Sequence, residues 1–325
     1  MGASIIGTGH YVPEKTLTNQ DLEKMVDTSD EWIITRTGIR ERRIAKRTES
    51  TSDLATKAAL NALDSAGVKP EELDCIIVAT ATPDMMFPSV ACLVQEKLEA
   101  INAAAFDIEA ACTGFIYALT MAQQFLLTRY YSKVLVIGAE TLSKITDYKD
   151  RNTCVLFGDG AGAVVLELGE EGSGILSSEL GADGKGAKLL KLPAGGSLHP
   201  ASGETVNNRM HYIKMDGNEV FKFAARKMSS SAKNVIEKAG LDVKDIDFLI
   251  PHQANIRIIA SAAKRLDIEE EKVYVNLDRY GNMSAASIPV ALDEAVKKGL
   301  IGRGDNIVLV GFGGGLTWGA ILIRW

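Results

Sequence analysis

Short, wholly apolar runs alternate along this chain with longer amphipathic ones. Cys75–Ala79 reads Cys-Ile-Ile-Val-Ala without a polar break, the pattern of a strand covered by helices on both faces. Over Ser52–Ala66, residues Leu54, Ala58, Leu60, Ala62 and Leu63 share one broad helical face, and Gly67 closes the helix. Ala103–Ala110 reads as another strand and runs straight into an apolar helix over Cys112–Thr128. That helix is apolar on nearly all sides, so its expected place is between layers. Alternating strands and helices predict an α/β fold with mostly parallel strands.

The pattern then repeats. The stretch Ala66–Asp74, followed by Cys-Ile-Ile-Val, recurs as Ala239–Asp247 followed by Phe-Leu-Ile-Pro, a shift of 173 residues. Val134–Gly138 recurs as Ile307–Gly311 at the same shift of 173, and Gly162–Leu166 recurs as Gly319–Ile323 after a shorter loop. Ordered repeats at constant spacing imply a duplicated structural unit. Two copies predict an α-β-α-β-α layered body around a pseudo-twofold axis. Residues 1–172 form one half and 173–325 the other, with the glycine- and glutamate-rich Gly169–Gly174 between them. The glycine-rich Gly181–Gly203 reads as a long loop, of the kind that is functional or mobile; for 183–198 the sequence leaves order and mobility equally open.

With 325 residues, 46% hydrophobic and 24% charged, the composition is that of a globular protein with a sizeable core. The four cysteines, Cys75, Cys92, Cys112 and Cys154, form no CxxC pair. That argues against a disulfide framework or a zinc site and for a reducing, cytoplasmic setting. The first residues lack the basic and apolar regions of a signal peptide, and no apolar stretch approaches the ~20 residues that span a bilayer. A net charge of −6 disfavours nucleic acid as a partner.

Chemistry concentrates at the strand-to-helix junctions. A thiol in the first turn of a helix meets unpaired N–H groups and the positive dipole end, which favour the thiolate; Cys112 is so placed. Of four histidines, only His252 directly follows an apolar strand, Asp247-Phe-Leu-Ile-Pro-His, where α/β sheets bind ligands; a purely structural histidine is the other reading. Asn282 follows the turn Asp278–Gly281 and is either a cap or a hydrogen-bond donor to a ligand. Gly311–Gly319 (Gly-Phe-Gly-Gly-Gly-Leu-Thr-Trp-Gly) joins two strands and is either a plain hairpin or a source of backbone donors. A shift of 173 carries Cys112 onto Ala285, beside Asn282. Duplication alone therefore lets the two helix starts converge on one site.

These motifs together, Ala-Cys112-Thr-Gly-Phe, Pro-His252-Gln-Ala-Asn, Tyr-Gly-Asn282-Met-Ser and the glycine loop, resemble the thiolase-fold condensing enzymes. Among those, the chain is most similar to the β-ketoacyl-acyl-carrier-protein synthase III family, along essentially its whole length. Gly7-Thr-Gly-His-Tyr-Val-Pro, Thr28-Ser-Asp-Glu-Trp-Ile and Arg36-Thr-Gly-Ile-Arg-Glu-Arg-Arg belong to the same likeness. The resemblance implies the initiating condensing enzyme of type II fatty-acid synthesis. Cys112 is expected to take an acyl group from an acyl-coenzyme A. His252 and Asn282 would stabilise the enolate of a decarboxylating malonyl-acyl-carrier protein, and the backbone N–H groups of Cys112 and Gly314 would form the oxyanion hole. Coenzyme A enters as a thioester substrate, with no prosthetic group and no metal.

By the same resemblance Trp32, Arg36, Arg151 and Asn255 bind coenzyme A. Phe87, in the loop Asp84-Met-Met-Phe-Pro88, walls the acyl pocket across a homodimer interface, and an apolar loop of this kind is otherwise hard to place on a monomer. Gln253, Ala254, Asn255, Ile256 and Arg257 are expected to dock the acidic carrier protein. Arg257, Ser261, Lys264 and Arg265 fall on one stripe of the following helix, with Lys214 and Lys222 near in sequence; a solvated helix face is the other reading. A thiolase using a second cysteine near the glycine loop is a poor fit, because no cysteine follows Cys154. A secondary-metabolic relative and a silent acyl-binding scaffold remain as rivals. The sequence does not choose between acetyl and longer or branched starters.

Overall fold

Two mixed sheets carry the molecule in this computed structural model, which describes residues 2–325. The first has five strands in the spatial order Ala3–Tyr11, Asp159–Leu168, Lys133–Thr141, Cys75–Ala79, Ala104–Ile108. The second has four, in the order Phe248–Pro251, Asn306–Gly313, Thr317–Arg324, Gly174–Ala182. Cys75–Ala79 pairs in parallel with both its neighbours, and Phe248–Pro251 is parallel to Asn306–Gly313. The remaining pairs in both sheets are antiparallel. The expectation of mostly parallel strands is thus corrected. The last strand of each copy returns beside its predecessor with no α-helix crossing between them, and such a return pairs antiparallel.

The layers follow from which face each helix buries. Thr51–Ala66 and Val90–Leu98 cover the outer face of the first sheet. Gly217–Lys238 and Ile256–Leu266 cover the outer face of the second. Gly114–Leu127 and Ser287–Lys297 lie between the sheets, in the largest apolar cluster. The central position anticipated for the apolar helix holds, although Met121, Gln124 and Leu127 form an exposed stripe along it.

The duplication is visible in backbone geometry. Gly67 and Gly240, 173 apart, both end a helix in the left-handed region, at φ 64° and 72°. Ala111 and Ser284, also 173 apart, each open a 3-10 turn at φ 44° and 46°. Non-glycine residues rarely hold that conformation, and where they do the surrounding structure must over-determine it. Gly138 supplies the room: a Cβ there would sit 2.2 Å from the Ala285 carbonyl oxygen. One half's central strand therefore presses directly on the other half's turn.

The stretch after Gly174–Ala182 is ordered into a turn and a short hairpin. Leu190–Lys191 pairs with Lys214–Met215, and Asp183 exchanges two backbone hydrogen bonds with Leu316. This hairpin brings Leu190 over the site described next.

Candidate active site

Cys112 sits in the 3-10 turn Ala111–Thr113, which leads into the helix Gly114–Leu127. The glycine run at the end of Asn306–Gly313 packs against this turn so closely that a Cβ on Gly313 would lie 2.7 Å from the Cys112 nitrogen. Gly314 follows, beside Ala111 and Leu190. Burial pushes the Cys112 thiol up to about 12, and the acidic Glu140 and Glu109 add to the rise. The sequence expectation of a thiol lowered by its helix end is corrected: burial of the sulfur raises it instead.

His252 ends the strand Phe248–Pro251, its backbone N–H bonded to the Val310 carbonyl at 2.8 Å. Its ring is fully buried edge-on to Phe312, with centroids 5.6 Å apart, and neither ring nitrogen has a protein partner. Desolvation drops its pKa to about 3, so the imidazole is neutral at any physiological pH. Two unpaired nitrogens in a buried ring are costly unless something that binds there uses them.

Asn282 is fixed at its backbone by Leu156 (2.8 Å) and Gly158 (3.0 Å). Its Oδ1 accepts from the Ser284 N–H at 2.8 Å, which leaves the amide nitrogen as its available donor. Cys112, His252 and Asn282 line one cavity of about 180 Å³, together with Trp32, Arg36, Asn255, Leu156, Phe157 and Phe312. Cys112 also opens onto a second cavity of about 380 Å³, shared with Ser284, Gly314, Ile145, Leu190 and Ile213. The thiol therefore stands where two apolar-walled spaces meet.

This arrangement fits a thioester-handling site, and the comparisons decide which. A family model described as 3-oxoacyl-[acyl-carrier-protein] synthase III matches residues 106–184, and the model of that family's C-terminal part matches 236–325. A β-ketoacyl-[acyl-carrier-protein] synthase III of Caldanaerobacter subterraneus is 64% identical over 100% of this chain and 98% of its own. The chain belongs to the 3-oxoacyl-[acyl-carrier-protein] synthase III family. It is a condensing acyltransferase of the thiolase fold. Among solved structures, the Aquifex aeolicus 3-oxoacyl-[acyl-carrier-protein] synthase III is 54% identical, with a TM-score of 0.92 and 100% of both chains covered. The priming β-ketosynthase of the R1128 polyketide pathway is 35% identical, with a TM-score of 0.92 over 99% of this chain and 96% of that one.

At the mouth of the smaller cavity of this synthase III family member, Arg151 stacks 4.7 Å from the Trp32 ring centroid and Arg36 lies 6.0 Å from it. Asn255 caps the helix Ile256–Leu266 by accepting from the Arg257 N–H at 2.8 Å, and donates to the Arg36 carbonyl at 2.9 Å. Phe87 is 84% exposed and lines neither cavity of its own chain.

Part of the expected carrier-docking set is corrected. Gln253 is fully buried; its amide donates to the Pro251 and Tyr274 carbonyls and accepts from the Asn276 N–H. Ala254 is buried against the cavity. Gln253 therefore offers no surface to a partner protein. Arg257, Lys264 and Arg265 are exposed, as is Lys222, with Ile256 half-buried beside them.

The sequence reading missed Glu140 and Ser284. Glu140 is wholly buried behind Cys112, pushed up to about 7 by desolvation. A signal existed: the shift of 173 that carries Cys112 onto Ala285 also carries Ala111 onto Ser284.

Proposed function

We propose that Cys112 attacks an acyl-coenzyme A, holds the acyl group as a thioester, and passes it to the enolate released by decarboxylation of malonyl-acyl-carrier protein. The shared cavity of Cys112, His252 and Asn282 carries this reading. A thioester carbonyl placed there meets two neutral donors, an imidazole N–H and a carboxamide N–H. As carbon dioxide leaves, the C–C bonding electrons move onto that carbonyl oxygen, and both donors face the growing negative charge. A preorganised donor of this kind contributes about 3–4 kcal/mol to the transition state. Asn282 cannot take up a proton and His252 resists one, so their work is electrostatic. The enolate carbon attacks the acyl-Cys112 carbonyl, whose oxygen is received by the N–H groups of Cys112 and Gly314, and the Cys112 sulfur departs. Side chains and backbone accomplish every step, with coenzyme A entering only as substrate. The four free cysteines suit the reducing cytoplasm where such thioesters occur.

Trp32, flanked by Arg36 and Arg151, offers a flat apolar face with two cations for the nucleotide end of coenzyme A. The larger cavity takes the acyl chain. Phe87, with Met85 and Met86, forms an apolar projection that a second copy of the chain would cover. Arg257 and its basic neighbours meet the acidic carrier. Intact-protein mass measurement after acetyl-coenzyme A tests the chemistry. The expected result is an adduct of one acetyl group that vanishes in Cys112→Ser; a protein that gains no acyl mass would instead be a binding scaffold.

A further inference from the structure

Behind Asn282 lies a guanidinium that is held by neutral groups. Arg42 has no solvent exposure. Its two terminal nitrogens donate to the Leu17 carbonyl at 3.1 Å, the Asn19 Oδ1 at 2.9 Å and the Val155 carbonyl at 2.8 Å. None of these acceptors carries a charge, and Nε has no partner among the described residues. A cation taken out of water without a counter-charge is expensive, and an apolar side chain of similar volume often serves stability as well or better. What Arg42 adds is the fixed fork of its donors, which gathers three oxygens into one geometry. Of the three contacts, the one to Val155 leads to the active site.

Val155, Leu156 and Phe157 wall the smaller cavity. Asn282 is stitched to this same segment. Its N–H donates to Leu156 at 2.8 Å, its carbonyl accepts from Gly158 at 3.0 Å, and it forms an isolated parallel bridge with Phe157. The stem of Arg42 presses on both sides of that stitch: a Cβ on Gly158 or on Gly281 would lie 3.1 Å from the Arg42 Cβ. The far end of the arginine is equally fixed. Its strand Glu41–Arg43 pairs with Thr16–Thr18. Asn19, which accepts from the guanidinium, donates in turn to Asp30 at 2.8 Å and to the Ile39 carbonyl at 2.9 Å. The hydrogen-bonded path therefore runs from Asp30, in the helix that carries Trp32 and Arg36, to the backbone beneath Asn282.

We propose that Arg42 is a positioning residue for decarboxylation: by clamping the Val155 carbonyl, it sets where the Asn282 amide stands against the malonyl thioester carbonyl. The inference rests on the electrostatic duty given to Asn282 above. Arg42 lines neither cavity, so its influence passes through the backbone of Val155–Gly158. A donor moved away from the oxygen where charge develops loses much of its effect, even when the change lies outside the contact itself. His252 is anchored elsewhere, on the strand Phe248–Pro251 with its N–H on Val310. Loss of the clamp should thus weaken one donor and spare the other.

The test is carbon dioxide release from malonyl-acyl-carrier protein in a Cys112→Ala background. Arg42→Met, which replaces the fork by an apolar chain, should lower kcat about tenfold. With Asn282→Ala also present, Arg42→Met should cost nothing further, whereas with His252→Ala it should still cost about tenfold. Arg42→Lys keeps the charge but reaches fewer oxygens. It should show a smaller fall with the same dependence on Asn282, and it carries the test should Arg42→Met not fold. An unchanged rate in the Arg42 variants would overturn the proposal. So would a fall that persists in Asn282→Ala, which would mark Arg42 as holding the fold in general. A Cys112→Ala protein that releases no carbon dioxide would instead sink the decarboxylation reading itself.

Discussion

Burial decides the ionisation of each buried titratable group around this pocket. The same desolvation that keeps His252 neutral keeps Cys112 a thiol and Glu140 near its midpoint at neutral pH. Glu294 shows the opposite outcome. Buried too, it is bound by Arg279 through two 2.8 Å contacts, by Asn276 at 2.9 Å and by Tyr280 at 2.8 Å. Despite desolvation, these partners lower its pKa to about 2. A carboxylate whose folded pKa lies below its unfolded value stabilises the fold above the unfolded pKa, and that stability is lost as pH falls through the folded one. Glu294→Gln should therefore cost about 2 kcal/mol near pH 7, since solvent screens part of the Arg279 interaction. The penalty should shrink as pH drops from about 4.5 toward 2. Urea midpoints at pH 7 and pH 3 check this; an equal penalty at both would contradict it.

Among elements, the strand-to-helix junctions explain why much of the site could be read in advance. Cys112 and His252 each follow an apolar run, and Asn282 follows a turn whose copy-related position lies near the nucleophile. Such local patterns survive in sequence because they are set by the covalent neighbours. Gln253 was misread for the complementary reason. A polar residue after His252 looks available to solvent, yet its amide turns inward to satisfy the Pro251 and Tyr274 carbonyls, and only the packed fold shows those carbonyls. The short hairpin that brings Leu190 over Cys112 depends on pairing with Lys214–Met215 across a long loop, so no local pattern announces it. Glu140 was missed because one acid at the end of an apolar strand looks like the start of a loop. The mixed sheets were misjudged where connections without an α-helix replaced crossovers.

At the scale of the whole molecule, the two copies meet through Gly138 against Ala285, which sets one half's strand on the other half's turn. Two exposed faces fit the proposed partners. Around Arg257, Lys264 and Arg265 the surface is basic although the chain carries −6. Arg257→Glu should weaken condensation with malonyl-acyl-carrier protein at least about tenfold at low salt while sparing acylation from coenzyme A; equal loss in both half-reactions would reject docking there. At the other face, Met86 and Phe87 are 77% and 84% exposed. Sedimentation should give twice the chain mass, shifted toward monomer by Phe87→Asp; a wild-type monomer would reject the shared interface.

The convergence of Cys112, His252 and Asn282 on one pocket is tested most directly by decarboxylation of malonyl-acyl-carrier protein in Cys112→Ala. Without the thiol, the imidazole and carboxamide should still release carbon dioxide. Adding His252→Ala or Asn282→Ala should each reduce that rate about 100-fold. Decarboxylation that survives both additions unchanged would mean the two donors do not face the substrate carbonyl, and would contradict the account.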